Sequence, residues 1–87
     1  MKELTIAIIH WIDSTFYRLE DDFTEDIPTM VKPRTLVSVG ILLNESDVSM
    51  TICQDSETSG AGNRLILTVP KVSILYSEVF TKKINLK

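Results

Sequence analysis

Hydrophobic and polar residues alternate along most of this chain with a period of two, which is typical of β-strands. In one run, Val37, Val39 and Ile41 fall on the same side. The run that begins at Leu4 is apolar on both sides, as in a strand that is covered on each face. The pattern predicts five strands, at about residues 4–12, 34–43, 48–54, 64–69 and 73–80.

The connections between the later strands are short, which limits the folds that the chain can adopt. A polar hairpin turn at residues 44–47 follows the second strand, and a two-residue break at 70–71, Pro-Lys, separates the last two strands. Gly40 in the middle of the second strand indicates a bulge, a sharp bend or a close backbone approach. These features predict an all-β fold, a strongly bent, five-stranded antiparallel small barrel of SH3-like or Sm-like type. An open meander and an OB-type barrel are the alternatives.

The connection between the first two strands is longer and less regular. Phe16, Leu19 and Phe23 have the i, i+3, i+7 spacing of an amphipathic helix. Acidic residues crowd the end of that stretch, where the helix dipole disfavours them. Residues 15–23 are therefore predicted to form either a short helix or an ordered loop.

Composition narrows the class of protein. The 87 residues suffice for one domain, residues 1–87, and 44% of them are hydrophobic. Because a chain this short has little interior, apolar surface should remain for a partner, most simply another copy of the chain. The single cysteine excludes an internal disulfide framework and a multi-cysteine zinc site. No leader-like or membrane-spanning stretch is evident in the sequence, so we expect a cytoplasmic protein.

The net charge is −3, but its sign changes along the chain. From Arg64 onward there are five basic residues and one acid, whereas four basic residues and eleven acids precede it. A tight, sequence-independent grip on nucleic acid needs many phosphate contacts, which an acidic chain does not favour. A local basic surface built from the last third of the chain remains an option.

No catalytic set can be assembled from these residues. His10 lies in mid-strand and is best explained as a hydrogen-bonded structural residue, and Cys53 as a small buried hydrophobe. The glycines at 60–62 lack the Lys-Ser/Thr of a phosphate-binding loop, and the acids at 20–26 lack the ligand spacing of a calcium loop. We therefore expect no enzyme activity, no cofactor, no metal site and no small-molecule substrate.

Three stretches of the sequence resemble a known group of proteins. The motifs Val-Gly-Ile-Leu at 39–42 and Trp-Ile-Asp-Ser at 11–14, and the run Leu67–Ile74, are similar to stretches of short phage and prophage proteins of unknown role. The chain also resembles a divergent Sm-like (LSm-type) protein of phage, with cyanophages as the suggested source. Sm-like proteins are five-stranded bent sheets that close into rings, in which the fourth strand of one subunit pairs with the fifth strand of the next.

The resemblance implies a non-catalytic homo-oligomeric ring of about five to seven copies. The implied subunit interface comprises Leu65, Leu67, Val69, Ile74 and Tyr76. The implied partner is weakly bound RNA, on a ring face that carries Lys71, Arg64 and Asn44. Sm proteins that bind uridine-rich RNA usually carry an Arg-Gly pair before the fifth strand, where this chain has Pro-Lys. A phage structural or protein-interaction module with no nucleic-acid role is therefore the alternative.

Overall fold

Five β-strands make up almost all of the structure. The computed structural model describes residues 2–13, 33–59 and 62–85. Its elements are β1 (Lys2–Asp13), β2 (Arg34–Glu45), β3 (Ser49–Ser56), β4 (Asn63–Pro70), a 3₁₀ turn (Lys71–Ser73) and β5 (Ile74–Ile84). The strands form one antiparallel sheet in the order β4-β3-β2-β1-β5. The predicted all-β fold with five antiparallel strands is confirmed, whereas the helix or loop predicted for 15–23 lies outside the described residues.

The sheet does not close into a barrel, so of the predicted small barrel only the coarser part, one sheet of five antiparallel strands, is confirmed. Within the described residues, β4 pairs with β3 alone and β5 with β1 alone, so no ladder joins these two strands and each forms an edge. Pro70 has no N–H to donate and ends β4. The 3₁₀ turn then carries the chain to the other side of the sheet, where β5 pairs with β1 along most of its length.

The sheet bends where β2 changes neighbours. β2 pairs with β1 as far as Ile41 and with β3 from Ile41 onward. A Cβ atom added at Gly40 would lie only 2.6 Å from the carbonyl oxygen of Cys53 and 3.1 Å from the Cβ of Ile52. The backbone of β3 therefore lies against the face of β2 at a distance that glycine alone permits. The predicted close backbone approach at Gly40 is confirmed.

The hydrophobic core lies on one face of the bent sheet. It is formed by alternate residues of β1, β3 and β4, namely Ala7, Ile9, Met50, Ile52 and Val69, which are all buried. Half-buried side chains pack around them, namely Trp11, Leu42, Leu67 and Ile74. Burial of alternate residues is what a period of two predicts for a sheet with a single core face.

The opposite face of the sheet, here called the outer face, is also apolar. Cross-strand pairing places a row of residues on it through all five strands, namely Phe80, Ile6, Ile41, Cys53 and Ile66. Much of this face is open: Val37 is 66% exposed, Val39 60% and Ile66 58%. An antiparallel sheet with one solvated face normally places polar residues there, so this surface is unusually hydrophobic.

Candidate functional site

Lys71 lies where two turns meet at one end of the sheet. It is the first residue of the 3₁₀ turn, and its backbone N–H donates to the carbonyl oxygen of Val48 at 2.8 Å. Its Nζ donates to Oε2 of Glu45 at 2.8 Å. These two bonds tie the connection between β4 and β5 to the turn between β2 and β3.

Hydrogen bonds of Ser46 stabilise the turn between β2 and β3. Its backbone N–H donates to the carbonyl oxygen of Ser49 at 2.9 Å, and its Oγ accepts the N–H groups of Val48 and Ser49, each at 3.2 Å. A hydroxyl that satisfies backbone donors in this way is a common turn device. Asn44 lies just before this turn, exposed and paired with Thr51. The structure therefore places Asn44 and Lys71 at the same end of the sheet.

Lys71 and Glu45 of the same chain form an ion pair, in which the carboxylate balances the positive charge of the ammonium group. The side chains of Lys71 and Glu45 are 36% and 42% exposed. A solvent-accessible ion pair of this kind contributes about 0.2–1 kcal/mol, so an anionic ligand can displace it at low cost. Sequence analysis missed Glu45 because only the hairpin geometry brings it to Lys71.

Arg64 lies at the opposite end of the sheet. It is the second residue of β4, about 20 Å along the strand from Lys71. Its Nη2 donates to Oδ2 of Asp55 at 2.6 Å. An open hollow of about 440 Å³ surrounds this pair, lined by residues of the turn between β3 and β4. Within the chain, Arg64 therefore shares no site with Lys71 and Asn44.

The five residues predicted for the subunit interface differ in exposure. Leu65 is 70% exposed, and its backbone has a positive φ of 54°, which is unusual for leucine. Tyr76 on β5 is also exposed, whereas Leu67 and Ile74 are half-buried. Val69 is buried in the core, so only its backbone is available to a neighbour. The interface itself stays a prediction.

His10 and Cys53 are the two side chains with catalytic potential that the sequence analysis singled out. Half-buried His10 lies in mid-β1 between Val37 and Tyr76 on the neighbouring strands. Cys53 is buried, and its Sγ contacts Oδ1 of Asn63 at 3.8 Å. Burial, with a smaller effect from the nearby carboxylate of Asp55, raises the pKa of the Cys53 thiol. A protonated, enclosed thiol is a poor nucleophile.

The part of the chain that the structure describes contains no group of three or more His, Cys, Asp or Glu side chains that could hold a metal ion. It also contains no helix of the length and hydrophobicity needed to cross a membrane. Comparison of the chain with protein-family models, curated proteins and solved structures finds no match.

Proposed function

We propose that the chain is a non-catalytic, Sm-like subunit that assembles with copies of itself into a ring. The observation that supports this most directly is that β4 and β5 form the two edges of one sheet, unpaired on their outer sides among the described residues. Unpaired strand edges are templates for pairing with another chain, and pairing β4 of one copy with β5 of the next is a head-to-tail contact. Head-to-tail contacts form rings when the rotation between copies closes.

Two further features support an Sm-like or SH3-like subunit, and the phage source that we propose rests on the sequence resemblance alone. The 3₁₀ turn before the last strand and the pairing of that strand with β1 are the arrangement expected of such a subunit. The exposed Leu65 and Tyr76 leave apolar surface beside both edges. A phage-encoded ring would act in the cytoplasm of the infected host cell.

Light scattering at micromolar concentration is expected to give a mass that is a multiple of the 9.8 kDa chain, about five to seven times. Ile66→Lys, which places a charge on the β4 edge, is expected to yield monomers. Val37→Lys is the matched control, because Val37 is equally open on the outer face but lies on the central strand β2. It should leave the mass unchanged. A monomeric wild-type chain would contradict the proposal.

RNA is the ligand that we propose for this ring, bound weakly at the end that carries Lys71 and Asn44. Assembly would repeat this pair around the ring, so that modest contacts add up. Lys71 supplies a point charge for phosphate, without the planar fork of arginine. Because Glu45 competes for the same ammonium group, binding is expected to be weak and sensitive to salt.

Glu45→Gln is therefore expected to tighten RNA binding about two- to fivefold, since it removes the competing carboxylate. Titration of labelled oligo-uridine and of a mixed-sequence RNA, at low and physiological salt, measures this. Lys71→Ala should abolish the binding. Glu57→Gln removes an acid at the opposite end of the sheet, outside the Asp55–Arg64 pair, and should have no effect if the Lys71 end is the site. Equal gains from Glu45→Gln and Glu57→Gln would instead indicate general electrostatic attraction.

A protein-interaction module of the phage particle or its assembly is the second candidate. It is favoured by the apolar outer face, on which exposed Val39 and Ile66 flank the bend of the sheet. A partner protein would cover these exposed aliphatic side chains more readily than RNA would, because they offer RNA neither charge nor a stacking surface. A ring that binds neither the oligo-uridine nor the mixed-sequence RNA, even at low salt, would support this candidate.

A further inference from the structure

The two strands that the proposed ring brings together carry opposite charges on the outer face. On β4, the side chain of Arg64 is 80% exposed and lies two residues before Ile66 of the outer-face row. On β5, Glu78 lies two residues before Phe80 of the same row. Glu78 is the only acid in β5, and it is exposed.

Arg64 has the capacity to bind a second carboxylate. Its Nη2 is bonded to Asp55, but a guanidinium group has five N–H donors in a planar fork. Glu78 is held only loosely in its own subunit, since its Oε2 accepts from the Tyr76 hydroxyl at a long 3.4 Å. Both groups can therefore meet without losing a strong existing contact.

The alternative registers of the two strands are less favourable. If the outer faces of the two copies are to stay on the same side, β4 can shift along β5 only in steps of two residues. Arg64 can then lie opposite Tyr76, Glu78, Phe80 or Lys82. Lys82 would repel the guanidinium group, and the two aromatic residues offer no opposite charge. Of these four residues, only Glu78 can form an ion pair with Arg64, whether the two strands run parallel or antiparallel.

We propose that Arg64 of one copy pairs with Glu78 of the next, and that the resulting network of Asp55, Arg64 and Glu78 fixes the register of the seam between subunits. The inference rests on the proposed ring and specifies its contact. It also gives Arg64 a role in assembly, separate from any RNA contact at the Lys71 end.

Cysteine cross-linking tests the register directly. In a Cys53→Ser background, which removes the single native cysteine, cysteines placed beside the two charged residues leave Arg64 and Glu78 intact. Ile66→Cys is expected to give a ladder of covalent oligomers on mild oxidation with Tyr76→Cys if the strands are antiparallel, or with Phe80→Cys if they are parallel. The rival pair, Ile66→Cys with Lys82→Cys, should stay largely uncross-linked because its Cβ atoms lie too far apart.

A double-mutant cycle tests the charges. Arg64→Ala and Glu78→Ala are each expected to raise the dissociation constant of the ring about threefold, and the double variant no further than either single one. Lys82→Ala is the control on the same strand and should have a smaller effect. Cross-linking by a rival pair within an intact oligomer would overturn the register and leave the ring standing. A monomeric wild-type chain would overturn the ring and the seam together.

Discussion

Gly40→Ala is expected to lower the free energy of unfolding by about 3 kcal/mol, the upper part of the range for overpacked sites. The added methyl group would lie 2.6 Å from the carbonyl oxygen of Cys53, well inside van der Waals contact. Because the obstructing atom belongs to the backbone, no rotamer change relieves the clash. β3 must move away from β2, which weakens the pairing of Leu42 with Ile52. Urea denaturation followed by circular dichroism measures the loss.

Gly62→Ala is the matched control. Its added Cβ would meet only the Glu57 side chain, at 3.6 and 3.8 Å, which is ordinary contact. The expected change in the free energy of unfolding is within about 0.5 kcal/mol, because alanine meets no obstruction there and also restricts the unfolded chain. If Gly40→Ala were as stable as Gly62→Ala, the close approach of β2 and β3 would be disproved.

Ile9→Ala is expected to lower the free energy of unfolding by about 3 kcal/mol. Ile9 is completely buried, with Met50, Ile52 and Val69 in the same cluster, so the truncation leaves a cavity in the centre of the core. For a domain of this size, that is a large share of the total stability. Thermal and urea unfolding of the variant beside the wild-type chain provide the measurement.

Ile12→Ala on the same strand tests which face of β1 is the interior. Ile12 lies on the outer-face side and is 38% exposed. Its truncation is expected to cost less than about 1 kcal/mol, because less apolar area leaves the protein interior. Equal losses for Ile9→Ala and Ile12→Ala would place hydrophobic packing on both faces of the sheet.

The strands could be predicted because alternation is a local property of the sequence. The runs around Val37–Ile41 and Met50–Ile52 carry a period of two that few other structures explain. The close backbone approach at Gly40 could likewise be predicted, because a glycine in the middle of a strand has few physical explanations. The extension of β5 to Ile84 was left open by the sequence, because lysines interrupt the alternation there.

The strand order and the charge pairs could not be predicted from the sequence, because they depend on which strands become neighbours. Nothing local in the sequence indicates that β5 pairs with β1 in place of β4. Glu45 reaches Lys71 across 26 positions of sequence, and only the combined geometry of two turns brings them together. The sequence therefore predicted Lys71 as a candidate binding residue, but it did not predict that Glu45 forms an ion pair with Lys71.

The hydrogen bond between the Trp11 indole and Ser38 gives the protein an internal optical reporter. Trp11 is the single tryptophan of the chain, it packs against the core, and its Nε1 donates to Oγ of Ser38 at 3.0 Å. Its emission should shift to longer wavelength when β1 and β2 separate and water reaches the ring. Because neither β4 nor β5, the strands of the proposed seam, contains a tryptophan, fluorescence would follow folding while light scattering follows the proposed assembly. The two could thus be measured separately, in one unlabelled sample.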